Sequence, residues 1–213
     1  MREPAISVVV ATIGRPTLGA TIDSIRAQRL IEGDEVVIAV DGPFPQAVEM
    51  ARKAGPPFRW VQTTRRGYWG HGIRNWVFDH QRQDDLTRLR GDLIAAMDDD
   101  NVFTPWAFES IRRAATANAG RPLLFRVVTV DGTIIWDTPE VAVNNVDTAS
   151  LVAPTVPDRL GRFGLCFGGD YHFVASTVEK HGGEVSFETD IICVSRPAPG
   201  LDLARYRRNE KEG

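Results

Sequence analysis

Cysteine is scarce in this chain, with only Cys166 and Cys193 among 213 residues. Both stand in apolar surroundings (Leu-Cys-Phe and Ile-Cys-Val), far apart, so neither a disulfide framework nor a cysteine metal cage can be built from them. They read as small buried hydrophobes in a reducing compartment. Histidine is also rare, at four residues, and no Cys/His cluster exists, which excludes zinc. No apolar run approaches the length of a bilayer span. The N-terminus has no basic-then-apolar leader pattern. A soluble, cytoplasmic protein without a transmembrane segment is therefore expected. A dominant charge is missing too: 25 cationic and 28 acidic residues leave a net charge of -3. That balance argues against coating nucleic acid through the overall field. The cations are nearly all Arg, which suits bidentate contacts to phosphate, although coding-sequence composition explains the same bias.

What the chain does have is a 43% hydrophobic content, enough for one substantial core, and one conspicuous segment. Leu93-Ile-Ala-Ala-Met-Asp-Asp-Asp-Asn101 is an apolar run that ends in three carboxylates. Five consecutive apolar residues fit a strand buried on both faces of a parallel sheet. Asp98, Asp99 and Asp100 then lie just past its C-terminal end, where open α/β sheets bind ligands. Three adjacent negative charges repel, and a divalent cation carrying a phosphorylated ligand relieves that repulsion.

The rest of the first half supports this reading. Ile6 to Ala11 reads as a central β-branched strand, broken by Thr12-Ile-Gly-Arg-Pro16. Leu18, Ile22 and Ile25 have helical spacing. Glu35 to Val40 reads as a second strand ending at Asp41-Gly42-Pro43, followed by a helix from Gln46 to Ala54 and a strand from Phe58 to Gln62. This β-α-β-α-β order implies right-handed crossovers and a parallel sheet. Gly70-His-Gly72 opens a helix bearing Ile73, Trp76 and Val77. Thr104-Pro105 is expected to cap a helix, with Pro at its first position, that runs to about Asn118.

In the second half, Leu123 to Val130 and Thr133 to Trp136 flank Asp131-Gly132 as a hairpin. Short strands are expected from Ser150 to Ala153 and from Ile191 to Val194. Gly168-Gly169-Asp170 precedes a helix that ends by Gly182. No linker divides the chain, so residues 1–204 are expected to form one domain and 205–213 a disordered tail.

Each candidate residue has a structural reading beside the functional one. Asp41 is a turn residue or a ribose contact. Arg65, Arg66 and Arg74 are solvated, or face phosphates; Arg74, after a glycine-rich turn at a helix start, is best placed for a nucleotide. The Gly-x-Gly there is too short for a dinucleotide fingerprint. Asp170 is a helix N-cap or a catalytic base. His172 and His181 are given no role. Trp69 and Trp136 read first as buried packing, and second as stacking platforms.

Taken in order, Val-Val-Val-Ala-Thr12, Ile-Ala-Val-Asp41-Gly42, Gly72-Ile-Arg74-Asn75, Ala-Met-Asp98-Asp-Asp-Asn101 and Gly169-Asp170 resemble the family 2 glycosyltransferases of the GT-A fold. The acidic motif, followed by Asn101 and then Pro105, is similar to the bacterial spore-coat polysaccharide branch. The resemblance implies a mostly parallel, Rossmann-like sheet flanked by helices, with a smaller antiparallel portion on the acceptor side. It implies inverting transfer from a nucleotide-diphosphate sugar, UDP-sugar foremost, to an acceptor hydroxyl. Donor contacts are then expected at Ala11, Thr12, Arg15, Asp41, Arg66, Gly70, Arg74, Asp98 and Asp99. Mn²⁺ or Mg²⁺ would bind Asp100, with Asp98 as the alternative, and Asp170 would deprotonate the acceptor.

The chain departs from the family pattern at several points. Asp41 follows Val rather than an acidic residue, Asp170 follows Gly where many members carry an acid, and no late histidine follows His181. With no counterpart of the C-terminal region many members use, acceptor contacts are expected from Trp136 and Asn144 to Asp147. The acceptor (polysaccharide, lipid, protein or modified DNA base) and any oligomer stay open. Two rivals remain. A nucleotidyltransferase would show a glycine-rich basic loop after the first strand, where Thr12 to Pro16 has one Gly and one Arg. A non-catalytic sugar-nucleotide binder would hold the donor without hydrolysing it.

Overall fold

A computed structural model describes residues 2–81, 85, 87–129, 131–198 and 200–207. Strand β1 (Ile6–Thr12) lies at the centre of the first half, with β2 (Glu35–Asp41) and β4 (Leu93–Asp98) on its two sides and β3 (Phe58–Thr63) beyond β2. All of these pairs are parallel. Helices α1 (Leu18–Arg26), α2 (Pro45–Ala54) and α3 (His71–His80) make the crossovers. Alternate residues of β1 feed opposite cores, as a two-residue strand period requires. Ile6, Val8 and Val10 pack with α1 and α2, whereas Val9 and Ala11 pack with Ile73 and Val77 of α3. A strand covered on both faces needs the continuous apolar run seen in the sequence.

Beyond β4 the sheet becomes mixed and curls. Its order is β3-β2-β1-β4-β8-β6-β9-β5, with β7 (Ile134–Ile135) paired to β6 (Leu123–Val128). β8 (Leu151–Pro154) runs antiparallel to both β4 and β6. β9 (Ser186–Ser195) runs parallel to β6, so the second half is not wholly antiparallel as expected. β5 (Asn101–Phe103), only two residues after β4, pairs antiparallel with the far end of β9. Helices α4 (Ala107–Ala117) and α5 (Gly169–Lys180) cover the faces. Among the described residues, no helix is long and apolar enough to cross a membrane.

Several local expectations need correction. Thr104 does not cap α4: its hydroxyl donates to the Ile191 carbonyl at 2.9 Å, and the helix starts at Ala107. Gly168 is the N-cap of α5, so Asp170 sits inside its first turn, free of the capping role. The β6–β7 hairpin forms, although Val130 lies outside the described residues. Cys193 is buried but Cys166 is exposed. Of the expected tail, Arg205 and Tyr206 belong to a 3-10 turn, and 208–213 lie outside the described residues.

Candidate active site

The register of three strands builds the site. Ala11 stands beside Asp98, and Thr12 beside Val40, so the C-terminal ends of β1, β2 and β4 converge. There a cleft of about 380 Å³ is lined by Ala11, Thr12, Arg15, Asp41, Gly70 and all three acids of the triplet. Arg65, Trp69 and Arg196 complete its rim. The acids thus face an opening rather than the core.

Each carboxylate of the triplet has a different partner. Asp98 accepts from Arg74, whose guanidinium is fully buried and also donates to the Met97 carbonyl at 2.9 Å. Asp99 accepts from the Thr12 hydroxyl at 2.5 Å and lies 3.3 Å from Arg15. Burial raises the Asp99 carboxyl above its ordinary range, against the opposing effects of Thr12 and Arg15. Asp100 Oδ2 takes both Arg15, at 2.7 Å, and Arg196, at 3.0 Å. Among the described residues no hydrogen bond reaches Asp100 Oδ1 or Asp98 Oδ2.

Asp41 is buried and accepts from the backbone N–H groups of Arg66, at 2.5 Å, and Gly67, at 2.9 Å. It therefore ties the loop after β3 to the end of β2. Its carboxylate thus serves a distant loop rather than the turn that follows it, and the residue also lines the cleft. Gly70 closes the approach. Its φ of +84° favours glycine, and a Cβ would stand 2.8 Å from Ala11 Cβ and 3.0 Å from Arg74 Nη1.

Two expected donor contacts lie elsewhere. Arg74 does not line the cleft, and its buried guanidinium lies 5.4 Å from the Phe163 ring centre. Arg66 directs its guanidinium over Trp76, and the neighbouring Arg65 lines the cleft instead. Trp69 is 65% exposed at the rim, against the packing expected of it. Trp136 is buried, with its indole N–H donating to the Leu124 carbonyl at 3.1 Å, so it is unavailable to an acceptor. Arg196 was not foreseen. Its position follows from the pairing of Asn101 with Ser195, which sets residue 196 across from Asp100.

Asp170 lies next to the cleft rather than in its wall. Gly70 lines the cleft and the next residue, His71, places its Nε2 3.2 Å from Asp170 Oδ1. The Thr148 hydroxyl donates to the same oxygen. Burial by itself would raise the Asp170 carboxyl. The hydrogen bonds from His71 and Thr148, with the charges of His71 and Arg74, outweigh burial and hold it below the usual carboxylate range. Asp147, just before the 3-10 turn 148–150, behaves oppositely. Loss of water around its carboxyl, then the charges of Asp170 and Asp98, push it up to about 7.

The sequence that builds this cleft of acids and arginines matches a known family. The profile of glycosyl transferase family 2 matches residues 7–161. The chain belongs to this family. No curated protein matches it in sequence. Among solved structures, TarS of S. aureus superposes with a TM-score of 0.70 at 16% identity, covering 92% of this chain and 37% of TarS. TarS residues 1–349 in complex with UDP-GlcNAc gives 0.68 at 14% identity, covering 96% of this chain and 62% of that one. At such identities the likeness shows the fold. This family 2 chain spans less than two thirds of the TarS chains it resembles.

Proposed function

We propose that the protein is an inverting, GT-A type glycosyltransferase that moves a sugar from a UDP-sugar to an acceptor hydroxyl. The observation that carries the reading is the acidic triplet facing a cleft at the strand ends, with Gly70 of the same lining immediately before His71, which contacts Asp170. Family membership and the TarS fold solved with UDP-GlcNAc support a UDP-sugar donor.

Thr12, Asp41 and Asp99 bind the nucleoside; the Asp41 oxygens keep lone pairs beyond those used by the loop. Arg15 and Arg196 supply positive charge where the diphosphate lies. Asp170 Oδ2 takes the acceptor proton. The acceptor oxygen then bonds to the anomeric carbon, and the bond from that carbon to the diphosphate breaks with its electron pair left on phosphate. Attack opposite the leaving group inverts the configuration.

The donor set suits Mn²⁺ or Mg²⁺. Among the described residues no group of three or more His, Cys, Asp or Glu is arranged to hold a metal. Magnesium, however, uses one or two carboxylates together with ligand phosphates, and Asp100 Oδ1 and Asp98 Oδ2 are hard oxygens of that kind. When bound, such an ion neutralises charge on the departing diphosphate.

A screen of nucleotide sugars by calorimetry, with and without Mn²⁺, tests this reading. UDP-sugars should bind best, and Asp100→Ala should weaken binding about tenfold or more in Mn²⁺, equivalent to about 1.4 kcal/mol. Equal binding by the variant would remove Asp100 from the donor site.

A further inference from the structure

We infer that His71 is the positioning residue of the catalytic carboxylate, holding Asp170 Oδ1 so that Oδ2 is left to face the acceptor. This rests on the reading of Asp170 as the base. The imidazole is 4% exposed and fixed on every side. Phe163 stacks on it, with ring centres 5.1 Å apart and planes 17° from parallel, and the Trp69 ring lies 6.3 Å away. Nδ1 is 2.9 Å from the Gly164 carbonyl. A carbonyl only accepts, so Nδ1 carries a hydrogen. The 3.2 Å contact between Nε2 and Asp170 Oδ1 needs a proton of its own, because a lone pair facing a carboxylate would be repelled.

Other charged groups whose fields reach Asp170 or neighbouring Asp147 are Arg74 on α3 and Asp98 at the end of β4. Thr148 holds Oδ1 from the opposite element. Among the described residues, no hydrogen bond reaches Oδ2.

The same ring explains the glycine before the base. A Cβ at residue 169 would stand 2.6 Å from His71 Cε1, and closer still to the Gly164 carbonyl oxygen. Gly169 is therefore the space into which the imidazole fits. The imidazole that takes this space reaches in from α3.

Two substitutions separate the bonds of the ring. His71→Asn keeps an N–H near the Gly164 carbonyl and loses the bond to Asp170. His71→Gln reaches Asp170 with an uncharged N–H. With UDP-GlcNAc and water as the acceptor, His71→Asn should lower kcat by about 10- to 100-fold, less than loss of the base itself, which costs about 10²- to 10⁴-fold. KM should stay within about twofold, because His71 lies outside the cleft lining. The acidic limb of the pH–rate profile should move to higher pH, since the interaction that depresses Asp170 is gone. His71→Gln, which restores the hydrogen bond but not the charge, should recover part of kcat and return that limb part of the way.

A substrate-free reading comes from ¹⁵N NMR of the wild-type imidazole, which should show both ring nitrogens hydrogen-bonded, Nδ1 to the Gly164 carbonyl and Nε2 to Asp170. A bare Nε2, an unmoved acidic limb, or equal loss of donor binding and kcat would overturn the inference. Asp170→Asn distinguishes the two readings: if that variant hydrolyses UDP-GlcNAc normally, the base assignment fails whatever His71 does.

Discussion

Asp147 and Asp170 are two carboxylates in one network with opposite behaviour, because hydrogen-bond donors reach Asp170 Oδ1 while Asp147 meets mainly dehydration and negative charge. An acid whose folded-state value rises to about 7 binds its proton more tightly folded than unfolded. Its contribution therefore favours the fold at low pH and is lost as pH rises from the ordinary carboxylate range through about 7. Asp147→Asn keeps a good capping side chain for the turn at 148–150 and removes the charge. Urea unfolding at pH 5 and pH 8 should show a smaller loss of stability with pH in this variant than in the wild type. An unchanged or steeper loss would mean that Asp147 is not held in this way. At this scale the acidic triplet was legible, since three charges after an apolar strand have few structural uses. The destination of Arg74 was not. Its spacing marks the start of a helix, but only the tertiary structure shows it buried and bonded to Asp98.

Elements place these residues, and α4 shows how. Arg112 on its buried face donates to Asp34 at 2.5 Å and to the carbonyls of Pro4 and Arg29, at 3.2 and 2.8 Å. Asp34 in turn accepts from the backbone N–H of Ile6, at the start of β1. The helix is thus tied to the strand that carries Thr12 into the cleft. Both side chains of the pair are nearly inaccessible. Removing one partner leaves a buried charge, so Arg112→Ala should destabilise the fold by about 3–5 kcal/mol in chemical denaturation. A loss under about 1 kcal/mol, the scale of an exposed pair, would show that water reaches the site. The strands and helices of the first half were readable because their apolar runs and helical spacing are local signals. β5 was hidden because a three-residue strand has too little pattern, and its partner lies about ninety residues away in β9. The same long-range pairing concealed Arg196, and the parallel β6–β9 match has no local signature.

Over the whole molecule, one curled sheet brings three parallel strand ends, a returning β9 and the start of α5 to the same side. The weak net charge of -3 is spread so that Arg15, Arg65 and Arg196 meet the acids at this cleft. A phosphorylated ligand would enter a site where both signs are already arranged. The family pattern foresaw the cleft-lining Ala11, Thr12, Arg15, Asp41, Gly70 and triplet, since these follow the ends of predicted strands and turns. It missed how Asp170 is held, because His71 and Asp170 are 99 residues apart and their meeting depends on the space left by Gly169. The account depends on a donor held in the cleft while a neighbouring carboxylate activates the attacking hydroxyl. Its most direct test is to measure UDP-GlcNAc binding and hydrolysis side by side in the wild type and Asp170→Asn. Binding should persist in the variant within about twofold while turnover falls about 10²- to 10⁴-fold. Undiminished turnover, or binding and turnover lost together, would contradict the account.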